Sequence, residues 1–524
     1  MIITALQYIC IIGLTLLLIM LANKIRIAYP IMLIVCGLLV SFVPYFPSFS
    51  IDPELIFVIF LPPLLYEAAW YTSWKELWRW RRVIGSFAFL IVLVTSLVVA
   101  LVASSIIPGF TLALGFLLGG IVSPPDAVSA AAILKYVKVP RRMASIIEGE
   151  SLLNDASSLI VFRFALIAVS TGRFVFHEAV VSFFWVIIAG IAIGIAIGYL
   201  FFYIHKLLPT DDNTDIALTI ITPYVMYITA EMIHVSGVLA VVSGGLFLSA
   251  KSHLFLSHSS RLKGASVWSA LGFILNGLVF ILIGLELPII IKGLDGISLR
   301  AAIGYGVVIT AILMVARILC AIGASFFTVF ISRFITTADP RPGLKAPLIF
   351  GWAGMRGVVS LAAALSIPIV TNNSAPFPQR NLILFITFIV ILLTLVVQGL
   401  TLPKLIRLLK MEDPDHFLSE EEQEAEVARR LAEKSRRFLQ HEYSEEINAN
   451  PVLHFLEAKW KQGEDMNKDH QLQDDFKNAS LKLIEKQRDW LHKWNEDIVI
   501  DDAVIRKYLM LLDMEEEQLK LKYR

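Results

Sequence analysis

Long apolar runs dominate this sequence and leave few folds open to it. Thirteen segments of membrane-spanning length can be marked before residue 410: 2–23, 30–46, 54–71, 83–107, 111–135, 143–172, 180–205, 214–233, 236–250, 265–291, 299–331, 345–369 and 381–409. About 20 residues in a helix cross a ~30 Å hydrocarbon layer, and most of these runs suffice. The run at 236–250 is short and glycine-rich, and reads as a full or partial span. A bilayer can absorb such runs; a soluble core cannot, since the chain is 57% hydrophobic and only 17% charged against about 25% charged in soluble domains. The first run lacks the basic flank and small-residue cleavage site of a signal peptide, so it reads as a retained span. The expectation is an all-α, multi-pass membrane protein.

Connections between the runs carry charge unevenly. Every second one is basic: Lys24 and Arg26; Lys75, Arg79, Arg81 and Arg82; Lys135, Lys138, Arg141 and Arg142; Lys251, Arg261 and Lys263; Arg333, Arg341 and Lys345. The connection with Lys206 is the weakest of that set, and the alternate ones hold little beyond Arg173, Lys292 and Arg380. Basic connections stay in the cytoplasm, which predicts an odd number of passes in a cell membrane, the N-terminus outside and the C-terminus inside. Residues 1–410 then form the membrane domain. From 411 to 524 the composition turns to Glu, Lys, Arg and Gln, and Glu420–Arg437 and Leu481–Trp494 show helical spacing. That stretch reads as a cytoplasmic helical domain. A net charge of +1 gives no basic face for nucleic acid. Cys10, Cys36 and Cys320 have no metal-ligand spacing and read as packing residues.

Ionisable side chains at membrane depth cost about 2.5–3.5 kcal/mol each, so they mark function or pairing. Three constellations stand out. In Ser123-Pro124-Pro125-Asp126-Ala127, two prolines in mid-span remove backbone donors and break the helix; Asp126 can cap the second half. Broken helices of this kind form ion sites in many transporters. In Glu148-Gly149-Glu150-Ser151-Leu152-Leu153-Asn154-Asp155, Ser151 and Asp155 share a helix face and offer hard oxygens to a small cation. Asp155 can hold a proton or a cation but not both, which is the minimum for exchange. In Gly351-Trp352-Ala353-Gly354-Met355-Arg356-Gly357, a buried arginine needs a carboxylate, and Glu150 or Glu148 is the expected partner. Glu67 follows another Pro-Pro pair and reads as a ligand or a helix-end acid. Arg163 reads as the partner of another acid or as an interface residue, and Glu231 and Glu286 read as helix-end acids. Arg317 has no evident place. The first break falls in the fifth run and the Arg356 segment in the twelfth, which suits two inverted six-helix repeats about a seventh span.

At these residues the sequence resembles bacterial sodium/proton antiporters of the first monovalent cation:proton antiporter family, relatives of the animal sodium/proton exchangers. The resemblance covers about residues 1–410 and rests on FLPPLLYEAA (60–69), SPPDAVSA (123–130), EGESLLNDA (148–156) and GMRGVVSLAAALSIP (354–368). It implies a 13-helix homodimer with a moving core. Asp155 would be the shared cation and proton site, with Ser151 and Glu67 as further ligands and Asp126 beside them. Glu150 would form a structural ion pair with Arg356, and Asn154 would mark the electroneutral branch. Many members carry Thr-Asp-Pro in the broken helix; Pro125-Asp126-Ala127 stands here, so only the backbone carbonyl of Pro125 can serve. Na⁺ or Li⁺ would be exchanged for H⁺ with no cofactor. The alternatives are K⁺/H⁺ exchange on the same fold and an intramembrane aspartyl protease using Asp126 and Asp155; the latter lacks the Tyr-Asp and Gly-x-Gly-Asp contexts.

Overall fold

A computed structural model describes residues 2–25, 27–41, 53–134, 137, 139–172, 176–294, 297–331, 343–371, 375–409, 420–443, 470–494 and 502–522. Of the residues used above, Arg26, Lys135, Lys138, Arg173, Arg333 and Arg341, positions 42–46 and the stretches 411–419, 444–469, 495–501 and 523–524 lie outside that set. Every regular element among the described residues is a helix, apart from one isolated bridge between Val370 and Pro376. The chain forms two compact units, Met1–Asp413 and Pro414–Arg524.

In the first unit the helices are α1 (Ile2–Ile25), α2 (Tyr29–Ser41), α3 (Pro53–Tyr71), α4 (Trp74–Arg79), α5 (Arg81–Ile106), α6 (Leu112–Val122), α7 (Ala127–Leu134), α8 (Arg141–Thr171), α9 (Phe176–Leu207), α10 (Asp212–Met232), α11 (Gly237–Phe255), α12 (His258–Lys292), α13 (Leu299–Ile331), α14 (Lys345–Trp352), α15 (Val358–Leu365) and α16 (Arg380–Leu409). Seven of them, α5, α8, α9, α11, α12, α13 and α16, are long and apolar enough to cross a membrane. Helices suit lipid because every backbone donor finds its acceptor within the segment. The run at 236–250 is extended by the structure to Gly237–Phe255, a full-length helix with Ser236 as its N-cap. Both Pro-Pro pairs are accommodated, but differently. Pro62 and Pro63 lie inside α3, whereas Pro124 and Pro125 separate α6 from α7. Two π-helical turns, Ser86–Ile91 in α5 and Thr394–Gln398 in α16, are not readable from hydropathy.

Small residues let these helices touch backbone to backbone. A Cβ at Gly119 of α6 would sit 2.5 Å from the Ser96 carbonyl oxygen of α5, and one at Gly37 of α2 equally close to that of Ile281 in α12. The buried apolar side chains fall into two clusters. One gathers α2, α5, α6, α12, α13, α15 and α16; the other gathers α3, α9, α10 and α11. Helix α8 belongs to both, giving Met143, Ile146 and Phe162 to the first and Leu152 and Ala156 to the second. The seam between the clusters therefore runs along α8, one residue from Asp155.

The second unit contains α17 (Glu420–Glu442), α18 (His470–Trp494) and α19 (Asp502–Lys522). Arg488 of α18 binds Asp513 and Glu516 of α19, each at 2.5 Å, and these two helices pack as a pair.

Candidate functional site

Two helices break near each other and repair one another. The α6 end leaves the carbonyls of Val122 and Ser123 outside the helical ladder: Pro124 and Pro125 stop the helix, and the Asp126 amide that would serve Val122 turns to Met355. Arg356 takes both: its Nε donates to Val122 O at 2.6 Å and its Nη2 to Ser123 O at 3.0 Å. Its Nη1 donates to Gly354 O, at the end of α14. One guanidinium, 1% exposed, thus sits at the C-terminal, negative ends of two half-helices. Asp126 does the converse. Its carboxylate accepts from the amide of Ser129 at 3.0 Å and from the Ser129 hydroxyl, which caps α7. The same carboxylate lies against Gly357, the N-cap of α15, where a Cβ would collide with it. The break is closed by the Asp126 amide donating to Met355 O at 2.7 Å. So Asp126 serves two positive helix ends and Arg356 two negative ones.

Helix α8 crosses beside this junction. Ser151 Oγ donates to Pro125 O at 3.3 Å and Asn154 Nδ2 to the same oxygen at 3.1 Å. Position 125 therefore meets α8 through its backbone carbonyl. Asn154 is fully buried, and its Oδ1 has no hydrogen-bond partner among the described residues. Asp155 is 7% exposed, and no described residue donates a hydrogen bond to its carboxylate. Asp126 is close enough to act on it electrostatically. Ser157 and Ser158 bond back to backbone carbonyls, Ser157 to Ala88 of α5 at 2.5 Å and to Asn154, and Ser158 to Asp155. They hold α8 in place and leave Asp155 as the carboxylate of that turn.

The structure gathers Pro125, Asp126, Ser151, Asn154 and Asp155 in one place. Glu67 stands on α3 with its carboxylate against Gly272 of α12, and Tyr29 lies within electrostatic reach of both Glu67 and Asp126. Glu148 is exposed on α8.

The expected Glu150–Arg356 ion pair is not the one that forms. Glu150 accepts instead from Arg317 of α13, Nη2 to Oε1 at 2.7 Å, with side chains 3% and 2% exposed. Arg356 is drawn away by the carbonyls of the two helix ends, which already supply its counter-dipoles. The two guanidiniums are neighbours, since a Cβ at Gly354 would crowd both. Arg317, 167 residues from Glu150 in sequence, sits in an unremarkable apolar run; only three-dimensional packing reveals its partner. Arg163 pairs with Glu231 of α10, whose other oxygen accepts from the Gly237 amide at 3.1 Å. Glu231 is thus a paired residue as well as a helix-end one. It also borders a cavity of about 470 Å³ with Leu159, Arg163, Tyr227, Ser236 and Ser366.

Residues 11–408 match the family model described as sodium/hydrogen exchanger, transmembrane. The sodium, potassium, lithium and rubidium/H⁺ antiporter of Bacillus subtilis is 36% identical over 389 residues, 72% of this chain and 57% of that protein. The chain therefore aligns with little more than half the length of that relative. The Na⁺/H⁺ antiporter of Aphanothece halophytica is 31% identical over 389 residues, 73% of this chain and 69% of that protein. The solved structure of the sodium proton antiporter of Methanocaldococcus jannaschii at pH 8 superimposes with a TM-score of 0.64 at 18% identity, covering 78% of this chain and all of that one.

Proposed function

The chain belongs to the sodium/hydrogen exchanger family, and from that premise we propose that it is a secondary antiporter, not an enzyme, in which Na⁺ or Li⁺ and protons compete for Asp155. The observation that carries this reading is a buried carboxylate that receives no hydrogen bond from any described residue, one residue from a buried amide whose oxygen finds no partner among them, beside a broken helix. Ser151, the Pro125 carbonyl, Asn154 and, from α3, Glu67 are the further oxygens that a cation would meet. Asp126 and Arg356 balance the helix ends around it, and Glu150 with Arg317 braces α8 against α13.

The chemistry follows from charge. Protonated Asp155 is neutral, and Asp155 with a bound Na⁺ is neutral as a pair. Empty and ionised, it carries an uncompensated charge that costs about 2.5–3.5 kcal/mol at membrane depth. A barrier of that size slows movement of the empty carrier by roughly two orders of magnitude. Exchange is favoured over leak because only the loaded forms cross cheaply. One exchanging acid beside the neutral Asn154 gives one proton per cation and no net charge movement.

We read thirteen passes by counting α6–α7 and α14–α15 as one each and leaving out α4. The two broken passes are then the fifth and twelfth, as two inverted six-helix repeats require. The basic connections put the N-terminus outside and the second unit in the cytoplasm, and a homodimer is the expected assembly. The Bacillus subtilis relative's name includes potassium, and K⁺/H⁺ exchange at the same site is the second reading. A protease would need Asp126 free to act at a scissile bond, whereas its carboxylate caps α7.

The test is collapse of a proton gradient in everted membrane vesicles on addition of Na⁺, Li⁺ or K⁺. Dissipation by Na⁺ and Li⁺ is expected, with loss of it in Asp155→Asn at unchanged membrane insertion. Dissipation by K⁺ alone selects the second reading, and no dissipation by any cation, or full activity in Asp155→Asn, refutes the site.

A further inference from the structure

The short helix α4 joins two membrane helices, α3 and α5, through a two-residue link at Thr72-Ser73 and a single residue, Trp80. With both neighbours in the bilayer, α4 cannot leave the membrane surface. Its two faces differ. Trp80 is 2% exposed, and its indole N–H donates to Glu76 at 3.2 Å. That contact occupies the one acidic residue of the segment Trp74–Arg82, which also holds Lys75, Arg79, Arg81 and Arg82.

The other face carries Trp74 and Trp78, 51% and 56% exposed, stacked on each other with ring centroids 6.0 Å apart. The Arg81 guanidinium lies over the Trp78 ring at 4.5 Å, and its Nη1 donates to Trp78 O at 2.6 Å. Lys75, Arg79 and Arg82 are exposed as well, Arg79 with its guanidinium over the Trp80 ring at 5.3 Å. Paired indoles prefer the boundary between headgroups and acyl chains. Guanidinium groups bind phosphate in a fork that ammonium groups cannot match.

We infer that the α4 elbow is a binding surface for an anionic phospholipid, with its phosphate diester held by Arg81 and its basic neighbours and its upper acyl chain against Trp74 and Trp78. The occupant is a lipid because the surface combines cationic and broad apolar contact at the one depth where both are met. A free phosphate would leave the two indoles without a partner.

The probe is the purified full-length protein in detergent, titrated with phosphatidylglycerol or with phosphatidylcholine of the same chains. Bound lipid is counted by native mass spectrometry and followed as a shift in melting temperature. Phosphatidylglycerol is expected to be retained at least about tenfold more tightly, from an attraction of roughly fivefold per basic residue near an anionic headgroup. Arg81→Gln with Arg82→Gln should weaken phosphatidylglycerol by about 25-fold on the same basis and leave phosphatidylcholine unchanged. Trp74→Leu with Trp78→Leu should weaken both lipids. Arg81→Lys with Arg82→Lys keeps the charge and should fall between wild type and the glutamine variant, which decides the matter should the glutamine variant fail to insert. Equal retention of the two lipids by wild type overturns the assignment. So does an unchanged lipid preference in the charge-removing or lysine variants. Full competition by inorganic phosphate would also overturn it, by making the ligand a free anion.

Discussion

Removing the charge of Glu150 should damage the protein more than removing that of Arg317, although the two are partners in one ion pair. Both side chains are almost wholly buried, at 2% and 3% exposure, and are bonded at 2.7 Å. Breaking a buried pair from one side costs about 3–5 kcal/mol, because the remaining charge loses its counter-ion. Here the two sides are unequal. In Glu150→Gln two adjacent guanidiniums, Arg317 and Arg356, remain with no carboxylate between them, and Arg317 Nε already finds no partner among the described residues. The full 3–5 kcal/mol should appear. In Arg317→Gln, Glu150 keeps Arg356 as a neighbouring opposite charge and loses one hydrogen bond, a cost nearer 1–3 kcal/mol. Against a typical total stability of about 5–15 kcal/mol, the first change should sharply lower yield and the second should not. The double variant should melt close to Arg317→Gln alone, giving a coupling of about 3–5 kcal/mol, the whole cost of Glu150→Gln. The assay is the fraction of detergent-purified protein that stays monodisperse on size exclusion after stepwise heating, with a separation of about 2 °C or more expected between the two single variants. Equal melting of the two, or a larger loss in Arg317→Gln, would show that Arg356 does not act as the reserve counter-charge.

Gly357→Ala should destabilise by about 1–3 kcal/mol, as overpacking does, since its Cβ would meet the Asp126 carboxylate; a wild-type melting curve would show that Asp126 is not pressed against α15. Competition at Asp155 predicts that lowering the pH raises the Na⁺ concentration for half-maximal exchange while the rate at saturating Na⁺ changes little. A fall in saturated rate at constant half-saturation, measured in proteoliposomes, would argue for separate sites. Deleting residues 414–524, the second compact unit, should leave vesicle exchange in place with an altered pH profile, and complete loss at normal insertion would make that unit part of the transport machinery.

Much of the membrane unit was readable because lipid imposes length and polarity rules that sequence obeys locally. The break at Pro124-Pro125 and the capping role of Asp126 followed from the geometry of proline and of helix ends, and both need only nearby residues. What failed was partner choice between distant segments. Glu150 and Arg356 each sit in a conspicuous glycine-rich motif, and pairing them was reasonable by motif. Yet Arg356 is held by carbonyl oxygens, which any residue can supply and no sequence advertises. Arg317 lies in a helix otherwise like its lipid-facing neighbours, with exposed Val315 and Leu319 two residues to either side. The π-turn at Thr394–Gln398 was equally hidden, although its Thr394 hydroxyl accepts from the Arg356 amide at 3.2 Å. The Pro62-Pro63 pair shows the limit from the other direction: the same dipeptide that splits α6 from α7 is absorbed within α3.

The mutual repair of the two broken helices also sets an order of events in the making of the protein. The carbonyls of Val122 and Ser123 are completed by Arg356, 234 and 233 residues further along the chain. At about 5–20 residues per second, the ribosome needs roughly 10–50 s to supply that guanidinium. For that interval the first break must reside at the membrane with its polar ends met by water or by the insertion machinery. The nascent chain is therefore most exposed to misassembly and proteolysis between the emergence of the first break and that of the second, and the last quarter of the membrane unit decides whether the early helices are kept.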